Sequence, residues 1–218
     1  MPTATPSSRF PASNTRGGTC PRTSRSSDRS RAPRTGSLPE WWPDLDGPRP
    51  VVHVSQGTVA NDRPEELTLP TIRALAERDV LVVVTTGGTP VAALGELPDN
   101  VRAAEFVPYD SLMPKVDVYV TNGGYGGLNY AISHGVPMVV AGDTEDKVET
   151  TRRVEWSGAG VNLETARPAE RAIADAVAQV LTDPAYRRRA RALQQEVVAA
   201  PGVAGLEAMV QDLVATRR

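Results

Sequence analysis

The run Val80, Leu81, Val82, Val83, Val84 is continuous, apolar and rich in β-branched side chains. A run that short with no polar alternation suits a strand covered on both faces, which is the habit of parallel sheets. Thr85, Thr86, Gly87 and Gly88 break it. Runs of the same kind at 51–54, 103–107, 116–120, 136–140 and 160–163 predict five more strands. Between them lie helical stretches. One is predicted from Asp62 to about Arg78, where Asp62 and Glu65 have capping-box spacing, Pro64 suits a first turn, and Pro70 marks a kink or a second start. Others are predicted over 125–134 and 146–156, followed by a helical tail. In the tail Ile173, Val177, Val180 and Leu181 share a face, as do Leu206, Met209, Val210 and Leu213; Pro168 and Pro184 suit first turns. Repeated strand, loop, helix units require right-handed crossovers. The expected fold is an α/β domain from about Leu38 to Arg218, Rossmann-like, with a parallel sheet and helices on both faces.

The first 37 residues cannot join that fold. They hold seven arginines against Asp28 alone, a net +6, which leaves −8 for the rest of a chain whose total is −2. Rich in Ser, Thr, Pro, Gly and Arg and almost without aliphatic side chains, this segment is expected to be disordered. It lacks the amphipathic face of an organelle transit peptide and any stretch resembling a secretory signal. A solvated tail, a misassigned translation start, a basic tail that grips phosphate and, despite the missing apolar face, a targeting segment are the readings open to it.

Elsewhere composition mostly excludes. A pI near 5.8 gives no general reason to expect nucleic acid or an anionic membrane as partner. The lone Cys20 cannot form an internal disulfide, and His53 and His134 are too few and too far apart for a metal site. No run approaches the roughly 20 apolar residues of a membrane span. The expectation is a cytoplasmic, metal-free domain.

Ligands of such sheets bind at the carboxyl ends of the strands, near the switch in strand order, and this ranks the loops. Thr121, Asn122, Gly123, Gly124, Tyr125, Gly126 and Gly127 follow a strand and open a helix. Four glycines let a ligand approach the backbone, and the amides and dipole of the helix start favour a phosphate. Glycines also serve a tight turn with nothing bound. Ser55, Gln56, Gly57 and Thr58 form a second loop of this kind, in which the hydroxyls of Ser55 and Thr58 serve either as donors to phosphate or as helix caps. A third loop, 142–147, sets acids beside Lys147; these groups either accept hydrogen bonds from sugar hydroxyls or complement a helix dipole. Gly-x-Gly-x-x-Gly after the first strand, the Walker lysine with its Ser/Thr, and Gly-x-Ser-x-Gly are all missing. His53, inside an apolar strand, reads as a core histidine, and His134 as a helix C-terminal residue.

The ordered series Phe106-Val107-Pro108, 117–124, Gly135-Val136-Pro137-Met138, Asp146-Lys147, Arg152-Arg153-Val154 and Gly158-Ala159-Gly160 resembles the donor-binding half of UDP-glycosyltransferase-like enzymes. The likeness covers Leu38 to about Met209 and looks nearest to bacterial antibiotic and macrolide glycosyltransferases, including erythromycin-type deoxysugar transferases. It implies the C-terminal half of a GT-B fold, two Rossmann-like domains facing across a cleft. By resemblance, Phe106 stacks on the nucleotide base. Thr58 and the loop of Asn122, Gly123, Gly124, Gly126 and Gly127 hold the diphosphate, and Asp146 with Lys147 matches the Asp-Gln pair that reads the donor sugar. The family pattern has His at Asn122, Ser or Thr at Gly127, Gln at Tyr109, and at Tyr130 a Glu that holds the ribose. Asn122 still donates hydrogen bonds but carries no charge.

The resemblance also implies an inverting displacement without metal or other cofactor, in which the phosphate loop stabilises the departing diphosphate. The acceptor and the histidine base belong to an N-terminal domain that nothing before Leu38 resembles, and residues 38–42 look like the linker that follows it. The expected function is therefore that of a truncated, donor-binding glycosyltransferase domain with no catalytic residue of its own. It takes a nucleotide sugar as donor and a small-molecule acceptor through the missing domain. A non-catalytic nucleotide-sugar-binding partner or regulator is the alternative, and an epimerase of related fold a more distant one. An apolar cleft wall left uncovered would promote self-association.

Overall fold

The computed structural model describes residues 38–58, 61–144 and 146–216. The disorder expected of residues 1–37 lies outside the described residues. Six parallel strands form one sheet: β1 Val51–Ser55, β2 Leu81–Thr85, β3 Val101–Ala104, β4 Val118–Thr121, β5 Met138–Val140 and β6 Gly160–Asn162. Their spatial order is β3-β2-β1-β4-β5-β6, so the order reverses between β1 and β4. That reversal is the switch point of a doubly wound sheet. The last paired residues of β1 and β4 are Ser55 and Thr121.

Alternation along the strands builds two cores. Val52, Val54, Val82, Val84, Val118 and Val120 face one way, against Ile72 and Leu75 of α1 (Thr68–Leu75) and Ile173 and Val177 of α5 (Glu170–Thr182). Val51, Leu81, Val83, Tyr119, Met138 and Val140 face the other way. There they meet Leu128 and Ala131 of α3 (Tyr125–Ser133), Val154 of α4 (Lys147–Ser157) and Ala190 of α6 (Pro184–Ala199). Every residue of β1 and β2 is buried, as a strand covered on both faces requires. The edge strand β3 is screened by the turn Trp42–Asp46: the indole of Trp41 donates to the Ala103 carbonyl at 3.3 Å, and Arg102 pairs with Asp44 at 2.7 Å.

Two expectations need correcting. The first helix begins at Thr68 and not at Asp62, with Leu67 at its N-cap; its first amide is held by a side chain from outside the helix, Gln56 Oε1 at 3.1 Å, which no local pattern signals. Pro70 falls in its first turn, so the second start is the one used. Strand β3 runs over Val101–Ala104, earlier than expected, because Glu105 and Phe106 turn out to solvent. In addition, α2 (Tyr109–Leu112) is a single turn with no forecast.

The last helix, α7 (Gly202–Thr216), has its apolar stripe exposed: Leu206, Met209, Val210 and Leu213 are each more than half accessible. Among the described residues no helix is long and apolar enough to cross a membrane.

Candidate functional site

The loops after β1 and β4 flank the switch point. In the first, Ser55 is buried and its Oγ accepts the Gly57 amide at 3.2 Å, so of the two readings open to it, phosphate donor or helix cap, it is a cap of its own loop and not of the helix, which begins at Thr68. Gln56 is also buried. Its Oε1 accepts from Thr68 N at 3.1 Å and Thr68 Oγ1 at 2.7 Å, and its Nε2 donates to the Arg63 carbonyl at 3.1 Å. Thr58 stands exposed at the tip.

In the second loop Asn122 Oδ1 accepts the Gly124 amide at 3.2 Å, and Asn122 Nδ2 donates to the Gln56 carbonyl at 2.7 Å. Gly123 adopts φ +83°, and a β-carbon there would lie 2.6 Å from Thr151 Cγ2. Its carbonyl accepts from Thr150 Oγ1 at 2.7 Å, which fastens the loop to α4. Gly127 is required by packing as well, since a β-carbon on it would lie 2.7 Å from the Tyr119 hydroxyl. Gly124 and Gly126 are different. The nearest atom to a β-carbon on Gly124 is Asn122 Oδ1 at 3.5 Å, and one on Gly126 meets nothing within 4 Å. Two of the four glycines thus serve the turn, and two leave open space at the helix start. Gly124 is the N-cap of α3 and has no capping side chain. The amides of Tyr125, Gly126 and Gly127 find no acceptor among the described residues. Orphan amides at the positive end of a helix dipole attract anions.

The remaining expected residues lie in the segments that follow β5 and β3. Asp146 is exposed at the N-cap of α4, and Lys147, the first residue of that helix, is buried with its stem over Gly142. Phe106 is 48% exposed in the loop after β3, its ring edge against Gly88.

Beneath the two loops is an aromatic stack that the sequence did not reveal. The His53 ring stacks on Tyr119 at 4.9 Å and 12°, and meets the Tyr109 ring edge-on at 5.2 Å. Tyr109 in turn meets Tyr130 edge-on at 5.3 Å, and its hydroxyl bonds Thr85 Oγ1 at 3.1 Å. Tyr109, Gly127 and Tyr130, three departures from the resembled pattern, therefore all border one packing unit. Its contacts join residues far apart in the chain, so no periodicity foretells them.

Burial pushes the His53 pKa down from 6.5 to about 4, against a smaller upward pull from the Val83 carbonyl. That carbonyl, 2.9 Å from Nδ1, needs the proton there, so Nε2 carries a buried lone pair without a partner. Burial likewise holds the Tyr119 hydroxyl protonated, well above its ordinary pKa. His134 is the C-cap of α3, at the opposite end from the open amides, with Nδ1 on the Tyr130 carbonyl at 2.9 Å. Neither histidine faces the loops as a base.

Comparison with known proteins bears on the fold and the family. The chain is 52% identical over 185 residues to 4'-demethylrebeccamycin synthase of Lentzea aerocolonigenes, covering 85% of this chain and 43% of that protein. It is 42% identical over 185 residues to UDP-glycosyltransferase 2 of Phaeomoniella chlamydospora, covering 82% and 40%. The chain thus spans about two fifths of the length of these curated relatives. Among solved structures, glycosyltransferase VinC in complex with dTDP superposes with a TM-score of 0.65 at 31% identity, over 82% of this chain and 44% of that one. Spinosyn forosaminyltransferase SpnP gives a TM-score of 0.70 at 26% identity, over 82% and 47%. The fold is that of the C-terminal half of GT-B glycosyltransferases. Residues 70–215 match the family described as erythromycin biosynthesis protein CIII-like, C-terminal domain, and the chain belongs to that family.

Proposed function

We propose that this domain binds a nucleoside diphosphate sugar and presents its anomeric carbon to an acceptor hydroxyl, as the donor half of a glycosyltransferase acting on a small molecule. One observation carries the reading: the amides of Tyr125, Gly126 and Gly127 open at the switch point of the sheet, beside glycines that leave room for a ligand. A diphosphate there accepts hydrogen bonds from these amides. The same donors meet the charge that grows on it as the glycosidic bond breaks, which is where such groups lower a barrier.

Phe106 lies beyond β3, two strand spacings or roughly 10 Å from β1, on the scale of a nucleoside. Its half-exposed ring offers a face to the base, Thr58 offers a hydroxyl to phosphate, and the exposed Asp146 carboxylate offers acceptors to sugar hydroxyls. With His53 buried and His134 at the far end of α3, the base that takes the acceptor proton comes, in this reading, from an acceptor-binding domain. Titration calorimetry of the full chain with UDP, dTDP and GDP and their glucose conjugates tests the proposal. Saturable binding of at least one nucleotide, lost on removing its β-phosphate, is expected; no binding of any of them defeats it.

A further inference from the structure

The sequence offered Asn122 as a hydrogen-bond donor to phosphate, but both ends of its side chain are committed within the protein. Oδ1 accepts the Gly124 amide, and Nδ2 donates to the Gln56 carbonyl at 2.7 Å. The second bond crosses the switch point. The β1–β4 ladder ends at Ser55 and Thr121, and Gln56 and Asn122 are the next residue on each side. From there the main chains diverge: β1 leads to α1 in one core, and β4 leads to α3 in the other. A side-chain bond thus extends the ladder by one rung where the backbones separate. Its far end is rigid, because Gln56 is buried and anchored through three hydrogen bonds to Thr68 and Arg63. Ligands of such sheets bind outside the strand ends where the loops diverge, and a bond that crosses from one loop to the other there bears on their separation.

We infer that Asn122, acting through Gln56, is a positioning residue that fixes the separation of the β1 and β4 loops, and that it is not itself a ligand of the bound anion. The inference takes its anion from the donor reading above, but the tie itself is tested without any ligand.

Three variants of the full chain decide it: Asn122→Ala, Gln56→Met and the double variant. In the ligand-free protein, hydrogen exchange read by mass spectrometry is expected to speed up at least fivefold in both loops, 55–58 and 121–127, in Asn122→Ala. Faster exchange confined to Gly124, whose amide loses its acceptor, overturns the inference. Should Asn122→Ala fail to fold, Asn122→Ser is read in the same way.

Affinities for UDP and dTDP, measured well below the melting temperature, supply a readout that lost stability alone does not move. Each single variant is expected to bind about tenfold more weakly, and the double variant no more than about twofold more weakly than the poorer single, because both changes act through the same tie: Asn122→Ala removes it, and Gln56→Met frees the residue whose main-chain carbonyl accepts it from its side-chain anchors. Multiplying losses would make Asn122 an independent ligand and overturn the inference. If the wild-type chain binds neither nucleotide, the donor reading falls, and the exchange measurement still decides whether the tie exists.

Discussion

The loops after β1 and β4 leave adjacent strands at the same end of one sheet, yet they use their polar groups in opposite ways. After β1 the side chains turn inward: Ser55 caps Gly57, and Gln56 holds the first amide of α1 and the carbonyl of Arg63. After β4 Asn122 alone of the loop's side chains bonds across to the β1 loop among the described residues, and the backbone amides that open α3 find no acceptor among those residues. The first loop resembles a hinge pin and the second a cradle. Hydroxyls and amides read from a sequence as ligand donors count only when the fold has not already claimed them, and in the β1 loop it has claimed all but Thr58.

The largest expected effect separates the two kinds of glycine in the β4 loop. Gly123→Ala forces a β-carbon to 2.6 Å from Thr151 at φ +83°, and should cost about 3 kcal/mol by combining left-handed strain with overpacking. Gly126→Ala meets open space within a helix and should leave stability unchanged or raise it by up to about 1 kcal/mol. Urea unfolding of both variants checks the pair; equal costs would erase the distinction between glycines that the turn requires and those that border open space.

Next comes the binding surface. Gly124→Leu adds a side chain where the nearest neighbour of a β-carbon, Asn122 Oδ1, is 3.5 Å away, so folding should tolerate it. Over the open amides it should weaken UDP or dTDP binding about a hundredfold, or roughly 2.7 kcal/mol. Calorimetry showing unchanged affinity would take the cradle out of the site.

A smaller effect arises from the floor that both loops share. His53 of β1 stacks on Tyr119 of β4, and Tyr119 lies under Gly127. The His53 pKa is near 4 in the fold against 6.5 when free, so the unfolded chain binds the proton more readily between those values. The neutral form's contribution to stability is complete above pH 6.5 and is lost as pH falls toward 4. From pH 7 to pH 5 the loss should be about 2 kcal/mol. His53→Phe keeps an aromatic ring in the stack and should flatten that slope in urea titrations; an unchanged slope would mean that His53 is not the group responsible.

How much of this was legible in the sequence follows from the range of the interactions. Six strands and the order of loops and helices came from apolar runs and punctuation, which are local, and each strand was placed to within a few residues. Non-local contacts misled. Gln56 starts α1 from twelve residues away, which made Asp62 look like the cap. Periodicity gave α5 and α7 the same apolar stripe, yet Ile173 is buried and Leu206 is 63% exposed, because a stripe records that a face is apolar and not what covers it. The glycine run pointed to the start of α3, whose first amides find no acceptor among the described residues. The division of labour among the glycines, and the aromatic stack below them, depend on Tyr119, Thr151 and Tyr109, which only the fold brings close.

The smallest expected effect decides whether the β1 loop touches the ligand at all. Thr58 is exposed, and no hydrogen bond among the described residues claims its hydroxyl. An exposed hydroxyl that donates to phosphate contributes about 0.5–1.5 kcal/mol, hence a few-fold change in affinity. Thr58→Val preserves shape and removes the donor, so it should weaken nucleoside diphosphate binding about threefold to fivefold, while Thr58→Ser should not. A loss that appears for diphosphates and vanishes for the monophosphate would place the hydroxyl at the β-phosphate. Equal affinity in Thr58→Val and wild type would leave the β1 loop as scaffold alone, its whole contribution passing through Gln56 to the loop across the crevice.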